Sequence, residues 1–110
     1  MIFITGAMYS GKSAYAMEKY NITDKDWETD CVKEAQELVR NINSEEELKE
    51  LADKLSKKRL VTASEVGAGV VPVEKEEREF REKAGRLSCM LARESTQAIR
   101  MICGIPQVLK

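Results

Sequence analysis

Gly6-Ala7-Met8-Tyr9-Ser10-Gly11-Lys12-Ser13 is the stretch on which the reading of this chain turns. It fits Gly-x4-Gly-Lys-Ser/Thr, the pattern of a phosphate-binding loop. Met1-Ile2-Phe3-Ile4-Thr5 comes before it, a short apolar run of the kind that forms a buried strand. Lys12 to Tyr20 follows without a breaker and predicts a helix ending at Asn21. A loop that leaves a strand and enters a helix aims successive backbone N–H groups into one concavity, and the helix start adds partial positive charge. Glycines at the loop ends keep side chains out of the way. Lys12 brings a full charge to the terminal phosphates, and the Ser13 hydroxyl is the candidate magnesium ligand. The expected nucleotide-binding set is therefore Gly6, Ala7, Met8, Tyr9, Ser10, Gly11, Lys12 and Ser13, with Tyr9 in reach of a base or ribose. A glycine turn carrying an exposed lysine is the plain alternative. The strand before the motif and the helix after it argue against that.

Outward from the loop, Arg59–Ser64 reads as a second strand and Ala98–Cys103 as a third, ended by Gly104-Ile105-Pro106. Asp30 is placed to cap a helix through Asn41. Ser44-Glu45-Glu46-Glu47 has capping-box spacing, and Leu48, Leu51, Ala52 and Leu55 mark one face of the helix behind it. Glu65-Val66-Gly67-Ala68-Gly69-Val70-Val71-Pro72 is a glycine-punctuated loop. From Glu74 a long helix carries Phe80, Ala84, Leu87 and Leu91 at helical spacing. Its pairs Glu74–Arg78, Glu77–Arg81 and Glu79–Lys83 lie four apart, as on a solvated face. Strands separated by helices predict an α/β fold: a small, three-layer domain of the P-loop NTPase type, spanning 1–110, with a short, mostly parallel sheet. Three strands leave two open edges, so an oligomer or an extra strand drawn from the polar 21–29 segment is expected. Trp27, alone in that segment, reads as a packing anchor.

Eighteen basic and nineteen acidic residues among 110 give a net charge of −1, which excludes the basic footprint of a nucleic-acid binder. At 43% apolar the chain is too hydrophobic to be wholly disordered. No apolar run approaches the roughly 20 residues of a membrane span. No export signal opens the chain, so a cytoplasmic location is expected. Cys31, Cys89 and Cys103 lack a Cys-x-x-Cys pair and read as small buried residues in a reducing compartment. There is no histidine, which removes every mechanism that needs an imidazole base or nucleophile.

A phosphate loop binds without choosing a reaction. Phosphoryl transfer also calls for a carboxylate to hold the metal or the acceptor hydroxyl, and such groups sit at the C-terminal ends of strands beside the loop. Glu65, directly after the second strand, and Asp30 are the two candidate catalytic carboxylates, with Asp30 and Ser13 the candidate metal ligands. A turn role competes for Glu65 and helix capping competes for Asp30.

Taken together, the loop, the Glu65–Pro72 block, Arg78-Glu79-Phe80-Arg81 with Gly85-Arg86, and Gly104-Ile105-Pro106 near Lys110 occur in an order that resembles the adenosylcobinamide kinase/adenosylcobinamide-phosphate guanylyltransferase family. Asp30-Cys31 resembles that family's acidic strand end. The resemblance implies a homo-oligomer, trimeric in familiar members, and a GTP or ATP donor with Mg2+. It implies phosphorylation of the aminopropanol hydroxyl of adenosylcobinamide, then GMP transfer onto that phosphate through a guanylyl-histidine. This chain departs from the pattern between its first helix and about residue 30, where the family carries that histidine. The second activity is therefore not expected. Glu82 and Ser88 stand where the family usually has aspartate and asparagine. A kinase is the leading expectation. A catalytically impaired nucleotide- or corrinoid-binding module and a small interaction protein are the alternatives.

Overall fold

The computed structural model describes residues 1–66 and 74–110. The glycine block Gly67–Pro72 therefore lies outside the described residues. Strand β1 (Ile2–Gly6) is the middle of a five-stranded sheet in the order β2-β3-β1-β4-β5. β2 is Cys31–Val32, β3 Leu60–Ser64, β4 Gln97–Ile102 and β5 Ile105–Val108. β1 runs parallel to β3 and β4, and β2 parallel to β3; β5 turns back antiparallel to β4. The fold is α/β with a mostly parallel sheet, as the sequence predicts.

β1 is buried or half-buried along its whole length because both its faces are covered, as in other parallel sheets. On one face Phe3, Val61 and Ala63 pack against Val39, Leu48, Leu55, Leu87 and Leu91. Those residues come from a 3-10 segment (Ala35–Asn41), α3 (Glu45–Ser56) and α4 (Lys75–Glu94). On the other face Ile4, Leu60, Ile99 and Met101 meet Ala16, Ile22 and the half-buried Trp27. Here the cover is α1 (Lys12–Tyr20) and α2 (Asp24–Thr29). Trp27 is the packing anchor expected of it. Leu87 and Leu91 are fully buried, each contributing about 1.5–3 kcal/mol to this layered arrangement. Among the described residues no helix is long and apolar enough to cross a membrane.

Local signals hold where they are strong. Asn21 closes α1 in the left-handed conformation, φ 56°. The Ser44 hydroxyl accepts from the Glu47 N–H at 3.2 Å, while the Glu47 carboxylate meets the Ser44 hydroxyl rather than its backbone. On α4 the expected Glu79–Lys83 pairing is replaced: Glu79 meets Lys75, Lys83 donates to the Ile42 carbonyl at 2.6 Å, and Glu82 pairs with Arg86.

Several expectations are corrected. The 21–29 segment supplies no edge strand: a capping box at Thr23, reciprocated by Asp26, winds it into α2. Asp30 is the C-cap of that helix rather than the start of one through Asn41, where β2 and the 3-10 segment stand instead. Gly104-Ile105-Pro106 does not end the sheet. Cys103 and Gly104 turn at positive φ into β5, whose Pro106 sits on an outer strand, the place a sheet tolerates it. Among the described residues the sheet thus has five strands rather than three. Of the cysteines only Cys31 is buried.

Candidate functional site

The loop leaves β1 at Gly6, whose carbonyl accepts from the Glu65 N–H at 2.9 Å, tying the loop entrance to the exit of β3. Gly6 has φ +149°, and a Cβ there would stand 2.5 Å from the Met101 carbonyl oxygen and 2.7 Å from Ser10 Oγ. Only glycine fits. The Ala7 carbonyl accepts from the Ser10 N–H at 3.1 Å, closing the turn. Tyr9, at φ 63°, stands 96% exposed at the rim. Gly11 caps α1 at φ 95° and offers no side chain to take up the first helical amides. Unblocked amides at a helix start suit an anion. From the far side, the Gly104 N–H donates to the Ser10 carbonyl at 3.0 Å. The β4–β5 turn therefore braces the loop.

Lys12 is buried, and its Nζ bends back across the loop to the Ala7 carbonyl at 2.9 Å. Burial lowers its pKa below the ordinary lysine value, against the opposing pull of the Glu34 and Glu65 carboxylates. Ser13, in the first turn of α1, lines with Lys12, Tyr9, Glu34 and Glu37 a cleft of about 590 Å³. A larger, separate groove of about 700 Å³ runs along α4 past Arg78, Arg81, Arg86 and Arg93. It shares no lining residue with the loop cleft.

The two carboxylates named from sequence part company. Glu65 reaches the loop end of the sheet, where both its oxygens are held by Arg100 of β4, at 2.7 Å and 3.1 Å. Asp30 does not. Cys31 pairs with Leu60, which itself pairs with Ile2, and the Asp30 carbonyl takes the Arg59 N–H. Asp30 thus sits before the first residues of these parallel strands, at the end opposite the loop. As a ligand for a metal at Ser13 it is misplaced.

Glu34, unmarked by any motif, is the carboxylate that lines the loop cleft beside Lys12 and Ser13. It follows β2 at the loop end of the sheet, in the left-handed region at φ 52°. Its N–H donates to Thr62 Oγ1 at 3.2 Å. Its Oε2 accepts from Gln36 Nε2 at 2.6 Å and from Ser64 Oγ at 2.7 Å. Gln36 in turn accepts the Ser64 N–H at 2.8 Å, which locks the three residues together. Oε1 lies 3.9 Å from Lys12 Nζ. Burial works against the Glu34 charge, but the Ser64 and Gln36 hydrogen bonds and the Lys12 ammonium outweigh it, holding the pKa below the usual glutamate value. A non-glycine residue held at positive φ among satisfied partners marks functional sites often enough to be sought on a structure. Sequence offers no cue for it, since its partners lie up to 30 positions away.

Among the described residues no three acidic or sulfur-bearing side chains gather into a metal cage. Magnesium is generally held by one or two protein oxygens and substrate phosphates. Ser13 and Glu34, which line one cleft, are the residues whose oxygens could hold a cation there.

No curated protein sequence matches the chain at a significant level. Residues 22–109 match the model of a protein family described as cobinamide kinase / cobinamide phosphate guanyltransferase. The matched range begins at Ile22, after the loop, so it and the loop geometry are separate observations. It takes in well over half of the chain, and the chain therefore belongs to the cobinamide kinase / cobinamide phosphate guanyltransferase family.

Proposed function

We propose that this chain carries the kinase activity of its family, moving the terminal phosphoryl group of GTP or ATP onto the aminopropanol hydroxyl of adenosylcobinamide. The observation that carries the reading is the buried Lys12 folded across a helix-opening loop with uncapped amides. In this mechanism the loop amides and Lys12 hold the donor phosphates. Lys12 exchanges the Ala7 carbonyl for phosphate oxygens and stabilises the charge that spreads over the transferred group. Glu65, fixed by Arg100, orients the acceptor hydroxyl at the sheet end. The hydroxyl oxygen forms the new P–O bond, the nucleoside diphosphate leaves, and the hydroxyl proton passes to solvent or to the Glu65 carboxylate. Ser13 and Glu34 are the residues that would hold Mg2+, which when bound neutralises charge on the phosphates. Catalysis is mostly positioning and electrostatics, as is general for phosphoryl transfer.

The guanylyl-histidine step has no nucleophile in a chain without histidine. The exposed Ile105 and Val108 on the outer strand β5, with Leu109 behind them, suit a contact between copies of the chain, in line with a homo-oligomer. The reading is tested by cobinamide-dependent release of GDP or ADP, with Lys12→Ala as control. Turnover no greater than the control overturns it. The second reading is a binding module without turnover, favoured by the commitment of both Glu65 oxygens to Arg100. Calorimetry that finds nucleotide binding without product selects it.

A further inference from the structure

We propose that Glu34 is a positioning residue that makes the loop cleft discriminate between metal-complexed and free nucleoside triphosphate. The inference deepens the nucleotide-binding reading above and rests on it. Among the described residues lining the cleft, Lys12 is the cation and Glu34 and Glu37 are the anions. Glu37 is engaged by Arg40 at 2.7 Å and half exposed, so its field is largely spent. Glu34 differs. Its Oε2 is saturated by Gln36 and Ser64, so the side chain cannot swing aside without leaving both donors. Its Oε1 stays directed at the ammonium that the phosphates must reach.

A free triphosphate entering the cleft brings its full negative charge up to a fixed carboxylate. A divalent cation cancels two of those charges and gives Oε1 a partner. Free nucleotide is therefore penalised by the same oxygen that favours the metal complex. Removing one fixed unit charge from beside the phosphates is expected to change affinity roughly tenfold, or about 1.4 kcal/mol. Glu34 also adds an ionic contact at 3.9 Å to the Ala7 hydrogen bond that holds Lys12. This accounts for a lysine that stays buried and bonded to a backbone carbonyl instead of extending into solvent.

The test is isothermal titration of the whole chain with GTP and with ATP, once in excess Mg2+ and once in EDTA. It compares wild type, Glu34→Gln and Glu34→Asp, each checked for folding by circular dichroism. Glutamine keeps an acceptor for Ser64 and Gln36 and removes the charge; aspartate keeps the charge. The expected result is that Glu34→Gln binds free nucleotide roughly tenfold more tightly, with no gain for the magnesium complex. The preference for the complex then shrinks by that factor, and Glu34→Asp retains it. A Glu34→Gln preference equal to that of wild type overturns this proposal and leaves the nucleotide-binding reading standing. A folded wild type that binds neither form overturns both.

Discussion

Replacing Gly6 with alanine tests the loop where its geometry is tightest. The new methyl would meet the Met101 carbonyl oxygen at 2.5 Å and Ser10 Oγ at 2.7 Å. The Ser10 hydroxyl can rotate away, since it has no hydrogen-bond partner to lose. The Met101 carbonyl cannot, because it belongs to β4 where Gly6 and Met101 stand in register. Two costs then add. Overpacking a rigid neighbour costs about 1–3 kcal/mol. Holding a non-glycine residue at φ +149° costs about another 1–3 kcal/mol. The sum is about 2–6 kcal/mol, against a total stability of about 5–15 kcal/mol for a domain of this kind. With an unfolding entropy of about 2.1 cal/mol/K per residue, the melting temperature should fall by roughly 9–26 °C. Differential scanning calorimetry of Gly6→Ala reads this directly, and a variant unfolded at 25 °C lies at the upper end. Gly85→Ala is the matched control. A Cβ there meets nothing within 4 Å, and the residue is inside α4. Alanine should gain about 0.5–1 kcal/mol from helix propensity and raise the melting temperature by a few degrees. A Gly6→Ala variant melting within about 5 °C of wild type refutes the reasoning, because both costs come from the backbone path that gives the loop its shape.

Lys12→Met should abolish nucleotide binding in calorimetry without lowering the melting temperature, since burial disfavours the ammonium; a large loss of stability would show that the lysine is structural. Ser44→Ala removes the hydroxyl that accepts the Glu47 N–H and should cost α3 about 1 kcal/mol, read as a shift in urea midpoint. Asp26 accepts the Thr23 N–H first and the Thr23 hydroxyl second, and the two bonds hold its pKa below the ordinary value of 3.8. A carboxyl depressed on folding stabilises above its unfolded pKa and loses that contribution as pH falls through the folded one. The urea midpoints of wild type and Asp26→Asn should therefore differ at pH 7 and converge below about pH 3.8; parallel curves would exclude this role for the pair.

What was legible in the sequence was local. The loop spans eight consecutive residues, and its strand and helix adjoin it, so pattern and context are read together. β1 and β3 announce themselves as short, mostly apolar runs covered by helices, and β4 by its apolar Ala98, Ile99 and Met101 ahead of a glycine turn. β2 is two residues long, too short for any periodicity, and it exists through its register with Leu60 and Val61. β5 is exposed at all four positions and carries no alternation, because no layer covers it; only its pairing with β4 makes it a strand. The placement of the acids fails for the same reason. Asp30 was matched by its neighbour Cys31, but register puts that pair at the beginning of the parallel strands. Glu34, four residues on, needs Ser64 and Gln36 before it has a fixed direction. Glu65 was legible in place, and its Arg100 partner was not, since Arg100 lies 35 residues away on β4, with β1 between it and the β3 strand that Glu65 follows.

The motif's glycines also have a reason here that the motif does not state. Approach to a phosphate is the general explanation, but in this chain the atoms that forbid a side chain at Gly6 belong chiefly to Met101 of β4. At Gly11 the nearest neighbour of an added Cβ is the Gly104 α-carbon, 3.6 Å away, and the conformation itself, φ 95°, is the constraint. Gly104 also donates to the Ser10 carbonyl. The anion cup is thus seated on the β4–β5 turn, a region that sequence alone presents as the end of the sheet. The family match runs through this same turn although it starts after the loop. Shape at residues 6–13 consequently depends on residues 101–104. If so, Gly104→Pro should weaken nucleotide binding as Lys12→Met does, by removing the donor and a φ of +78° that proline cannot adopt, while leaving every loop residue in the sequence intact. Undiminished affinity in a folded Gly104→Pro chain would show that the loop keeps its shape unaided.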